Sequence, residues 1–80
     1  MDPAEIQRLI AAGLEGCEVT VTGDGRHFQA TVISSQFEGM NMLQQHRAVY
    51  ATLGDRFDTE AVHALSMNTY TPEQWARLKG

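Results

Sequence analysis

Four side chains in this sequence carry the chemistry of metal ligation: Cys17, His27, His46 and His63. A protein-only zinc or iron site needs three or four such ligands converging on one point. The chain has no Cys-X-X-Cys pair and no His-X-X-X-His pair, so no two ligands are brought together by local spacing. The carboxylates Glu18, Asp24, Glu38, Asp55, Asp58, Glu60 and Glu73 fall mostly in turns and at helix starts, where they cap and solvate. No serine, histidine and acid form a nucleophile motif, and no glycine-rich loop opens a helix in P-loop fashion. The chain therefore reads as non-enzymatic. Cys17, being single, excludes an internal disulfide, fits a reducing compartment and reads as a small buried hydrophobe.

The elements that must position these residues follow from periodicity. The stretch Phe37 to Leu53 has the clearest helical pattern. Met42, Leu43, His46, Val49, Tyr50 and Leu53 recur at spacings of three and four and share an apolar face, with Gln44, Gln45, Arg47 and Thr52 on the polar side. Asn41 suits the N-cap, and Gly54 suits the left-handed residue that ends a helix. His46 lies on the apolar side and reads as a packed, structural histidine. An earlier helix opens at Asp2-Pro3, buries Ile6, Leu9, Ile10 and Leu14, and ends at Gly13 and Gly16. The Gly13-Leu14-Glu15-Gly16 spacing matches the GXXG loop of KH domains, but its glutamate would repel phosphate, so helix termination is the better reading.

Between the two helices, Cys17 to Thr22 alternates strictly, and Phe28, Ala30 and Val32 alternate with Gln29 and Thr31. These are the arms of a hairpin around a tight Gly23-Asp24-Gly25 turn. His27 stands at the turn end of the return strand and points away from the Phe28 side. A polar connection over 55–60, with one helical turn around Phe57, leads to a third strand over 61–68, with His63 near its beginning. Thr71-Pro72-Glu73-Gln74 opens a short final helix carrying Trp75. The order is αββαβα. A helix joining strand two to strand three implies that those strands are parallel. The fold class is α+β: a three-stranded mixed sheet with helices packed on one face, the type II KH-like arrangement. His27 and His63 then stand at the beginnings of parallel neighbours, at one end of the sheet. They could supply half of a metal site whose other half comes from a partner.

Composition sets the outer limits. Eighty residues form a single domain, 1–80, that buries only roughly 60–65% of its unfolded surface. Apolar residues make up 42% and charged residues 20%, which excludes disorder. No apolar run approaches the ~18 residues of a membrane span, and the acidic N-terminus has no signal-peptide core, so a cytoplasmic location is expected. A net charge of −4, with six Lys and Arg spread along the chain, disfavours nucleic-acid binding.

Two runs carry a family resemblance. Phe37-Glu38-Gly39 followed by Gln45-His46-Arg47, Val49-Tyr50 and Leu53 resembles the central motif of the BolA family. Val62-His63-Ala64-Leu65-Ser66, followed by Tyr70-Thr71-Pro72-Glu73-Gln74-Trp75, resembles that family's C-terminal motif. The short hairpin Gly23-Asp24-Gly25-Arg26-His27-Phe28 is similar to that of its IbaG-like branch. The resemblance implies a non-enzymatic protein with a KH-like fold. It also implies a heterodimer with a monothiol, CGFS-type glutaredoxin, in which the two proteins bridge a [2Fe-2S] cluster. The glutaredoxin contributes its cysteine and a bound glutathione thiol; this chain contributes the rest. By position, His63 matches the C-terminal motif histidine and is the first ligand, and His27 is the metal-binding side chain that the hairpin loop offers. Alone, the chain is expected as a monomer or weak homodimer. The resemblance also implies an alternative role as a stress-linked DNA-binding regulator, for which Arg47, Arg56, Arg77 and Lys79 are the candidate contacts.

Overall fold

The fold was described from a computed structural model, which covers residues 2–24, 26–54 and 64–80. The element order is α1 (Pro3–Gly13), β1 (Glu18–Gly23), β2 (Phe28–Ile33), a single 3-10 turn (Ser35–Phe37), α2 (Met42–Leu53), β3 (Leu65–Tyr70) and α3 (Pro72–Lys79). It matches the αββαβα order expected from periodicity. The expected helical turn around Phe57 lies outside the described residues.

The helix starts are chemically determined. The Asp2 carboxylate accepts from the Ala4 amide at 2.9 Å, with Pro3 in the first helical position where its missing N–H costs nothing. Asn41 and Gln44 form a reciprocal capping box on α2, with bonds of 2.8 and 2.9 Å. Thr71 and Gln74 do the same for α3, behind Pro72.

The sheet order is β1-β2-β3, with β1 antiparallel to β2 and β2 parallel to β3. Val21 of β1, Phe28, Ala30 and Val32 of β2 and Leu65 of β3 point into one core with Ile6, Ile10 and Leu14 of α1 and Val49 and Leu53 of α2. Phe37, fully buried, enters the same core from the 3-10 turn. Gly13 is needed where α1 meets α2: a Cβ there would collide with the Thr52 side chain. The expected one-face arrangement describes α1 and α2. Helix α3 instead packs at the far end of β3. Its Trp75 stacks at a tilt on Tyr70, with ring centroids 5.3 Å apart, and lines a hollow with the outer-face residues Thr20, Thr31 and Ile33.

Three local expectations are corrected. Strand β3 runs from Leu65 to Tyr70 rather than over 61–68, because it pairs with all of β2, Phe28 opposite Leu65 and Ile33 opposite Tyr70; residues 61–63 lie outside the described set. Gly23, expected in the tight Gly23-Asp24-Gly25 turn, is instead the last residue of β1, where it pairs with Phe28; Gly25 lies outside the described residues. The buried stripe of α2 is rotated: Gln45, Val49 and Leu53 are buried, whereas Met42 is 69% and Leu43 59% exposed. Gln45 occupies the inward position instead, donating to the Met40 carbonyl at 3.0 Å and accepting from the Thr69 hydroxyl at 2.7 Å.

Candidate functional site

The parallel pairing of β2 with β3 puts the starts of both strands at one end of the sheet, as the sequence requires for a two-histidine site. The Phe28 amide donates to the Ala64 carbonyl at 2.9 Å, so the residue after His27 is bonded to the residue after His63. His63 itself lies outside the described residues, as does Arg56. His27 is exposed and lies in the loop just before β2, so its ring is open to a partner.

The backbone around His27 is held by Asp24. One carboxylate oxygen accepts from both the Arg26 and His27 amides, at 2.9 Å each, and the Asp24 amide donates to the His27 carbonyl at 3.2 Å. These bonds, first that from His27 and then that from Arg26, hold the Asp24 carboxyl below the usual aspartate range. Gly23 completes the arrangement, since a Cβ there would lie 2.6 Å from the His27 carbonyl oxygen and from the Phe28 ring. Beside His27 a shallow hollow of about 300 Å³ is lined by Asp24 and by Thr22, Gln29 and Ser66, the last three from the outer face of the sheet.

Cys17 is at the wrong end to join it. Glu18 pairs with Ile33 while Gly23 pairs with Phe28, so the two ends of β1 are separated by roughly 17 Å of strand. Burial also pushes the Cys17 thiol up, away from the thiolate form that binds metals. His46 is half-buried on α2. Among the described residues, no three His, Cys, Asp or Glu side chains converge as a metal cage.

The basic candidates do not form one stripe among the described residues. Arg47 is exposed on α2. Arg77 is paired with Glu73 one turn earlier and borders a groove of about 470 Å³ with Met40, Met42 and Leu78. Lys79 lies over the Trp75 ring, 5.5 Å from its centroid, and borders the other hollow, with Glu18.

Periodicity alone did not show the role of Asp24 or the lining by Gln29 and Ser66. The signal was present in part, because alternation places Thr22 and Gln29 on the polar side of their strands and Ser66 opposite Leu65 and Met67. Only the register brings the three to the same end.

Comparison with known proteins bears on the same elements. A family model described as BolA-like protein matches residues 8–74. The chain belongs to the BolA family. It is 38% identical over 77 residues to the acid stress protein IbaG of Escherichia coli, covering 96% of this chain and 92% of that one. It is 39% identical over 57 residues to the DNA-binding transcriptional regulator BolA of E. coli, covering 71% of this chain and 53% of that protein. A solved structure of a BolA homologue from Coxiella burnetii superposes with a TM-score of 0.84 at 40% identity, over 96% of this chain and 99% of that one. The BolA assignment, with IbaG as a full-length relative, agrees with the motifs and with the short hairpin around Asp24 and His27.

Proposed function

We propose that this BolA protein is a non-enzymatic, cytoplasmic adaptor that shares a [2Fe-2S] cluster with a monothiol glutaredoxin, in iron–sulfur trafficking or iron homeostasis. His63 and His27 are the ligands from this chain. The observation that carries the reading is His27: an exposed imidazole on a pinned loop, at the end of the sheet where β3 also begins. The donor set fits such a group as a half-site. Imidazole suits iron, and histidine in place of thiolate raises the cluster potential. An exposed ligand at a strand start leaves room for a partner's thiols, and the hollow beside it is lined by hydroxyl and amide groups from Thr22, Gln29 and Ser66 together with the Asp24 carboxylate.

The test is reconstitution of this chain and a monothiol glutaredoxin with iron, sulfide and glutathione, run with His27→Ala and His63→Ala separately. Each substitution removes a ligand and is expected to shift the visible circular dichroism and the reduction potential of the cluster or to prevent its assembly. Spectra and potentials unchanged by both substitutions refute the ligand assignment.

The name of the E. coli BolA relative favours a second reading, a DNA-binding regulator. Arg47, Arg56, Arg77 and Lys79 would supply the phosphate contacts. With a net charge of −4, any such affinity should be modest and fall steeply with salt. Duplex binding that is unaffected by replacing Arg47 and Arg56 with alanine counts against it.

A further inference from the structure

We infer that Asp24 is the positioning residue for His27: its side chain fixes the backbone that carries the imidazole, so that the ring is held ready at the sheet end before any partner arrives. The inference rests on the reading of His27 as a ligand, and extends it to a residue that would not itself touch the metal.

The geometry is specific. A four-residue loop between two strands has several backbone solutions. Here a single carboxylate oxygen, accepting from the Arg26 and His27 amides together, selects one. The reverse bond, from the Asp24 amide to the His27 carbonyl, ties the same residue from its other side. Beyond His27, the Phe28 amide is bound to Ala64. The amide and carbonyl of His27 and the amide of Phe28 are therefore all engaged, and the freedom left to His27 is in its side chain. Gly23 keeps the floor of the loop close enough for this, since a Cβ would displace the His27 carbonyl. A ligand held in this way binds without first ordering its loop, which lowers the entropic cost of forming a shared site.

The distinction between clamp and charge is testable, because Asp24→Asn keeps a side-chain oxygen as acceptor while Asp24→Ala removes it. In the full chain, Asp24→Ala is expected to speed hydrogen exchange at the Arg26 and His27 amides by roughly fivefold, leaving Ala30 and Val32 unchanged. Asp24→Asn is expected to remain close to the parent. In the cluster-loaded complex with a monothiol glutaredoxin, Asp24→Ala should move the visible circular dichroism in the direction given by His27→Ala, and Asp24→Asn should restore it. Unchanged exchange in Asp24→Ala overturns the inference. So does a parent-like cluster spectrum in Asp24→Ala when His27→Ala shifts it. A silent His27→Ala combined with loosened amides in Asp24→Ala refutes the ligand reading and leaves the clamp standing.

Discussion

Removing the Gln45 side chain is the sharpest test of how this fold is held together at its α2–β3 seam. Gln45 is 5% exposed and Thr69 9%, so neither can exchange a lost partner for bulk water. In Gln45→Ala the Thr69 hydroxyl loses its 2.7 Å acceptor and the Met40 carbonyl its 3.0 Å donor. Two hydrogen bonds at about 1 kcal/mol each, with a further contribution from a buried hydroxyl left unpartnered, give a loss of about 2–4 kcal/mol. In a domain of this size each kcal/mol lowers the Tm by roughly 4–8 °C, so the midpoint should fall by at least about 8 °C. Urea unfolding followed by circular dichroism measures this directly, with the exposed Arg47→Ala as a control expected within about 0.5 kcal/mol of the parent. Gln45→Leu separates the contributions. It restores most of the volume, so the remaining loss is polar, and adding Thr69→Val should recover about 1 kcal/mol of it because the unpaired hydroxyl is then gone. A Gln45→Ala variant as stable as Arg47→Ala, or a cycle with no coupling between positions 45 and 69, would refute the account of the seam.

Other consequences are as direct. Gly23→Ala should destabilise by about 1–3 kcal/mol in urea unfolding, because the new methyl needs space taken by the His27 carbonyl and the Phe28 ring. Phe37→Ala, which empties a fully buried ring position, should cost about 3–5 kcal/mol and bring so small a domain close to its unfolding threshold, measurable as a collapse of the thermal midpoint. The folded Asp24 carboxyl titrates below its unfolded value, so its contribution is complete above the usual aspartate pKa of about 3.9 and is lost as pH falls through the depressed folded value. Amide exchange at Arg26 and His27, corrected for intrinsic rate, should therefore be flat from pH 5 upward and lose protection in acid. Asp24→Asn should abolish that acid response.

Much of the fold was legible because its signals are local. Alternation in Val19-Thr20-Val21 and in Phe28 to Val32 needs only the period of a strand to be read, and the core faces of both strands are the ones expected. The caps at Asn41 and Thr71 close within three residues, so local sequence reveals Asn41 as an N-cap and Thr71 with Gln74 as a capping box before any tertiary contact exists. The faces of α2 were less legible. Met42 and Leu43 fit a helical apolar stripe as well as Val49 does, but a stripe read from sequence assumes a partner surface along its whole length. In the first turn of α2 the position that meets β3 is Gln45, which has two partners and is buried, while a methionine and a leucine are left in water.

The candidate site divides in the same way. The residue types came from sequence: three imidazoles and one thiol with no spacing that brings them together locally, and a family resemblance that points to His63 by motif and to His27 by its place in the hairpin loop. The parallel pairing followed from the helical crossover, which admits little else. The register, the four-residue loop and the carboxylate that closes it depend on which backbone groups remain unpaired once all three strands are aligned. Side-chain chemistry and periodicity belong to each residue and its near neighbours, so the chain alone determined the elements, their caps and the supply of ligands. Burial of Gln45 against Thr69, exposure of Met42 and the distance that removes Cys17 from the site are relations between distant segments, and only packing decided them.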